Sequence, residues 1–220
     1  MNNLQQEPVL KVRQPAILRL WHWSNFIVIL CSLSTVIFAK TLLHANNNIE
    51  MVQKNLEESN ITVTAAQARS VAHDFNDLAW HWHVYFGYFI ASLLLFRILF
   101  ELFRPKDQRL IPLIKKSLGY LKMPAADKAR GKHYFMVRCA YLSFYLILFA
   151  QACTGLFMSY SDDVESLKAI RHQVSNVHAV LMWFIIAFIV VHIAGVVRAE
   201  FTRENRGIVS DMINGGGQDA

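Results

Sequence analysis

His178 and His192 lie fourteen residues apart inside one stretch, 172–197, that holds no Asp, Glu, Lys or Arg. Fourteen residues is close to four helical turns, so both imidazoles leave the same face of a helix, about 21 Å apart along its axis. An ionisable side chain inside a bilayer is costly and marks a functional site by default. Two on one face, near opposite membrane surfaces, predict two stacked sites for a ligand that takes axial imidazoles, and haem iron is such a ligand. Two further histidines complete the set. His22 lies about one turn into an apolar stretch from its basic end, at the depth of His192. His83 lies near the far end of another, at the depth of His178. Depth alone pairs His22 with His192 and His83 with His178.

These side chains need helices to carry them. Besides 172–197, the stretches 20–39, 78–96 and 139–161 lack acidic and basic residues. Each of the four is roughly 19 to 26 residues long, the length a helix needs to cross hydrocarbon. The expected architecture is an all-α membrane protein, a four-transmembrane-helix bundle with spans at about 17–39, 80–103, 135–160 and 177–199. A lead over 1–16 precedes it, an outer loop spans 40–79, a basic inner loop spans 104–133, and a tail covers 201–220. The first apolar run is too long for a cleavable signal, and no small-residue cleavage pattern follows it.

The formal net charge is +6. Of the 22 Lys and Arg residues, only Lys40, Lys54, Arg69, Lys168 and Arg171 fall on one side of this topology. The positive-inside rule then puts both termini in the cytoplasm. The basic balance is one of membrane orientation, and nucleic acid is not an expected partner. Cys31, Cys139 and Cys153 all fall in spans and read as small apolar residues. There is no C-x-x-C pair and no C-x-x-C-H attachment motif, so any haem is held non-covalently, as b-type. The four uncharged stretches contain no carboxylate to complete a zinc or non-haem iron site.

Within the loops, Thr64-Ala65-Ala66-Gln67 has the capping-box pattern and predicts a helix leading into span two. Residues 111–121 leave two readings open, an interfacial amphipathic helix or a solvated basic loop beside anionic lipid. His81 competes with His83, but two residues apart on a helix they face nearly opposite ways. Gly87, four residues after His83, shares its face and would let a flat macrocycle approach. Arg97, fourteen after His83, is a candidate for pairing with a haem propionate, or for anchoring the span end; Arg19 is a second propionate candidate. His44, His73, His133 and His172 read as surface imidazoles. The five tryptophans, mostly at span ends, read as an interfacial belt.

Together these motifs resemble the bacterial cytochrome b561 family, which includes the membrane b-type cytochrome subunits of nickel–iron hydrogenases. The resemblance covers about residues 15–200. In that family a His-Trp opens span one, as His22-Trp23 does here. Span two carries His, Gly and Arg at the spacing of His83, Gly87 and Arg97, and span four carries two histidines fourteen apart, as at His178 and His192. The tail from Val197-Arg198-Ala199-Glu200 through Ile208, Met212 and Gly215 is similar to the hydrogenase-type branch. The resemblance implies two haem b groups that carry electrons across the bacterial inner membrane. They would exchange electrons with quinone at one face and a redox partner protein at the other, a hydrogenase or a periplasmic cytochrome. The longer outer loop departs from the smallest members. Two other readings stand beside this one: a stand-alone superoxide:quinone oxidoreductase and a haem-free membrane anchor subunit. Association with a second copy of the chain is left open.

Overall fold

The computed structural model describes residues 15–120, 125–161, 164–201 and 207–215. The expected lead, apart from its last two residues, and the final glycines Gly216 and Gly217 lie outside the described residues. Every regular element among the described residues is helical: α1 (Ala16–Lys40), α2 (Ala45–Glu57), α3 (Ala65–Phe103), a short 3₁₀ turn (Lys106–Gln108), α4 (Leu110–Tyr120), α5 (Ala125–Ser161), α6 (Glu165–Glu200) and α7 (Ile208–Asn214). Among the described residues, four segments are long and apolar enough to cross a membrane: Ala16–Lys40, Ala65–Phe103, Phe135–Ser161 and Glu165–Glu200. Much of their apolar surface faces outward, as at Leu20, Leu30, Phe89, Leu146 and Val191. In water such surface would collapse inward; against lipid chains it needs no cover.

The helix ends follow local chemistry. Pro15 precedes α1, and its carbonyl accepts from Leu18 N at 2.9 Å. Thr64 and Gln67 form a reciprocal capping box at the start of α3, Thr64 N donating to Gln67 Oε1 at 2.9 Å and Gln67 N to Thr64 Oγ1 at 3.3 Å. Arg104 is extended ahead of Pro105, and α3 stops there.

The loops are more ordered than their polarity predicts. Most of the stretch 40–79 is helical. α2 was not foreseen, and the helix started by the capping box runs without interruption through span two, giving α3 its 39 residues. Of the two readings for residues 111–121, the helix is found: α4 covers Leu110–Tyr120. Its first amide, Leu110 N, donates to the Glu101 carboxylate, and Arg138 Nη1 donates to Leu113 O at 2.8 Å. α6 begins at Glu165, about three turns before the expected start of span four.

The chain divides into two compact units, residues 25–186 and residues 1–24 with 187–220. In the first, α2 packs on α3, while α3 and α4 both pack on α5. Ala68, Ala72 and Ala79 are buried along α3, where small side chains allow close approach. Asn76 Nδ2 donates to the carbonyls of Ala39 (2.7 Å) and Leu43 (3.1 Å), satisfying acceptors left at the end of α1. The Tyr88 hydroxyl joins Ser159 Oγ, tying α3 to α5. In the second unit, α7 is held at both ends. Glu200 accepts from Gly207 N at 3.0 Å and Val209 N at 3.3 Å. Arg19 Nη1 donates to Ile213 O at 3.2 Å, and Trp23 Nε1 to Met212 O at 3.0 Å. Trp23 thus has a tertiary partner beyond an interfacial role.

Candidate functional site

The two histidine pairs read by depth are brought together in space, each inside one compact unit. His22 on α1 and His192 on α6 have ring centroids 6.1 Å apart at an interplanar angle of 61°. His83 on α3 and His178 on α6 have centroids 6.3 Å apart at 85°. Two imidazoles gripping one metal ion from opposite sides would hold their ring centres about 6.2 Å apart. That figure combines two metal–nitrogen bonds of about 2.0 Å with about 1.1 Å from each nitrogen to its ring centre. Both pairs fit this span. Among the described residues, no group of three or more His, Cys, Asp or Glu gathers to hold a metal ion. Each pair could offer a metal two imidazole nitrogens, which would suit one whose remaining positions are filled by a macrocycle.

The His83/His178 pair is fixed through its Nδ1 atoms. His83 Nδ1 lies 3.2 Å from Ser32 O, 3.3 Å from Ser32 Oγ and 3.2 Å from Thr35 Oγ1. A carbonyl only accepts, so Nδ1 carries the proton and Nε2 keeps its lone pair. His178 Nδ1 lies 2.9 Å from Thr154 Oγ1, and His178 Nε2 lies 3.0 Å from Gln151 Nε2. Gln151 Oε1 is buried without a hydrogen-bond partner. Gly155 stands against the same ring: a Cβ there would meet His178 Cε1 at 3.2 Å. A Cβ at Gly87 would meet nothing within 4 Å, so that face is open.

The His22/His192 pair has different neighbours. His22 meets Trp23 edge-on, with centroids 5.5 Å apart. His192 stacks on Phe188, 5.8 Å away and only 7° from parallel. Arg19, three residues before His22, spends Nη1 on Ile213 O, while its Nε is buried with no partner.

Other candidates fall elsewhere. His81 is exposed and packs edge-on against Tyr85, 4.7 Å between centroids. His44, His73, His133 and His172 are exposed. Arg97 pairs with Glu101 at 2.7 Å, donates from Nε to the Tyr145 hydroxyl at 3.2 Å and lies over the Tyr145 ring. Its half-buried charge therefore has a carboxylate and an aromatic partner. Sequence reasoning missed Ser32, Thr35, Gln151 and Thr154, because isolated hydroxyls and amides in an apolar helix carry no spacing signal of their own. Their offset from a histidine on another helix depends on packing. Glu101 was also missed. It lies just beyond the uncharged core of its span, where its contacts to Arg97 and Leu110 N join α3 to α4.

A family model described as prokaryotic cytochrome b561 matches residues 13–215. No curated protein and no solved structure matches the chain.

Proposed function

Because the chain belongs to the prokaryotic cytochrome b561 family, whose members are haem-binding, multi-pass bacterial membrane proteins that transfer electrons across the membrane, we propose that it does so through two haem b groups. One is held by His22 and His192, the other by His83 and His178. The observation that carries this reading is the pair of centroid separations, 6.1 and 6.3 Å, each matching two imidazoles on one metal. When bound, each haem iron supplies a one-electron couple whose potential depends on its axial ligands and their hydrogen bonds.

The chain's own residues do the rest. Ser32 and Thr35 hold His83 with Nε2 unprotonated, and α5 holds His178. The four half-buried rings sit on long apolar helices, and such burial tunes the potential of a haem held there. Arg19, with a buried Nε lacking a partner, is the better placed arginine to receive a propionate. Arg97 already has Glu101 and Tyr145. The distribution of basic residues supports an inner-membrane protein with both termini in the cytoplasm. Quinone is the diffusible carrier at one face, and a redox protein, a hydrogenase or periplasmic cytochrome, the partner at the other.

The test is spectroscopic. Purified protein should show b-type bands in a reduced-minus-oxidised spectrum and two haems per chain in a haemochrome assay. No b-type bands would overturn the reading in favour of a haem-free anchor. One haem per chain would overturn the two-site assignment. Reduction by a quinol analogue tests the quinone role, and reporter fusions at the C-terminus test orientation.

A further inference from the structure

Within its membrane span, Phe135–Ser161, α5 carries no histidine, yet three of its residues surround the ring of His178. Gln151, Thr154 and Gly155 stand at i, i+3 and i+4, one face of the helix. We propose that α5 is the positioning element of the His83/His178 site, with the Thr154 hydroxyl setting the electron-donor strength of His178; this rests on the two-haem reading above.

Thr154 Oγ1 lies 2.8 Å from Ala150 O and 3.0 Å from Gln151 O, as well as 2.9 Å from His178 Nδ1. A hydroxyl has one proton and two lone pairs, whereas a carbonyl only accepts. All these groups are satisfied together when the hydroxyl proton goes to the α5 backbone and its oxygen accepts Nδ1–H. The Nε2 lone pair of His178 then accepts from the Gln151 amide at 3.0 Å, a contact that a metal bound at Nε2 would replace. Gly155 supplies the clearance for Cε1. The two histidines of this site are therefore tied to different helices, His83 to α1 through a backbone carbonyl and His178 to α5 through a side-chain hydroxyl. The hydroxyl can be removed without touching the backbone. A hydrogen bond accepted from Nδ1–H raises the basicity of a ligating imidazole and favours the more highly charged metal. Its loss raises the reduction potential.

The experiment uses the holoprotein and the pair Thr154→Val and Thr154→Ser, with redox titration of the b bands, haem content and the low-spin ferric resonance signals of each. Thr154→Val should shift one redox equilibrium about tenfold toward the reduced form, about 59 mV for a one-electron couple. The second potential should stay in place, and Thr154→Ser should restore both. Two unmoved potentials in Thr154→Val, or a Thr154→Ser protein shifted as far as the valine variant, would overturn the proposal. If Thr154→Val loses one haem, a Thr154→Ser protein with two haems at wild-type potentials supports it, and a Thr154→Ser protein that loses the haem as well overturns it. Absence of b-type bands from the unmutated protein sinks the electron-transfer reading itself, before any variant is compared.

Discussion

The two histidine pairs have nearly the same separation and quite different surroundings. Around His83 and His178, oxygen atoms of Ser32, Thr35 and Thr154 grip the Nδ1 atom of each ring. Around His22 and His192, the described contacts are aromatic faces and edges, from Trp23 and Phe188. Hydrogen bonds fix both the tautomer and the rotation of an imidazole; aromatic packing limits its tilt and leaves the proton's position open. On the two-haem proposal, hydrogen bonds order the first pair before a haem enters, whereas ring packing orders the second. Two sites of one type can thus differ in potential and in affinity although their ligands are identical.

The largest expected effect separates the sites outright. His83→Ala or His178→Ala should lower haem content from two to one per chain, and His22→Ala or His192→Ala should do the same. The potential that survives should differ between the two sets, as redox titration would reveal. A single substitution that empties both sites would break the comparison.

Next come the glycines. Gly155→Ala places a methyl group 3.2 Å from His178 Cε1, so the ring must give by a few tenths of an ångström. We expect about tenfold weaker haem retention at that site, measured by haem transfer to an apoprotein acceptor. Gly195→Ala, three residues past His192, meets no protein atom within 4 Å, so any loss of retention should fall on the His22/His192 site alone and be smaller than that of Gly155→Ala at its own site.

Arg19→Gln should act on the other pair. It removes the donor to Ile213 O and the buried Nε, one helical turn before His22. At about 1 kcal/mol for such a hydrogen bond, haem retention should fall roughly fivefold at the His22/His192 site alone. An equal loss at both sites would show that the arginine acts on general stability. The smallest effect belongs to His81→Ala. That ring is exposed and packs edge-on against Tyr85, so both haems and both potentials should be retained.

Much of this was legible in the sequence. Four charge-free stretches sized to a bilayer gave the helices, and the fourteen-residue interval brought two histidines onto one face. What stayed hidden shares a physical character. α2 has no long apolar run, and its placement comes from packing on α3 rather than from its own pattern. The Thr154–His178 contact joins residues twenty-four apart on two helices whose mutual rotation is a tertiary property. Arg97 illustrates a different gap. Spacing put it on the His83 face, but its nearest opposite charge, Glu101, is simply its own i+4 neighbour.

The uninterrupted course of α3 has a mechanical consequence. At 1.5 Å per residue its 39 residues extend about 58 Å, well beyond the 40–45 Å depth of a bilayer with its headgroups. A rod with no proline or hinge glycine in its aqueous third transmits displacement rather than absorbing it. A protein leaning on the projecting end would tilt the turn that bears His83 two turns beyond the Asn76 anchor, so contact outside the lipid can be felt at an imidazole buried within it.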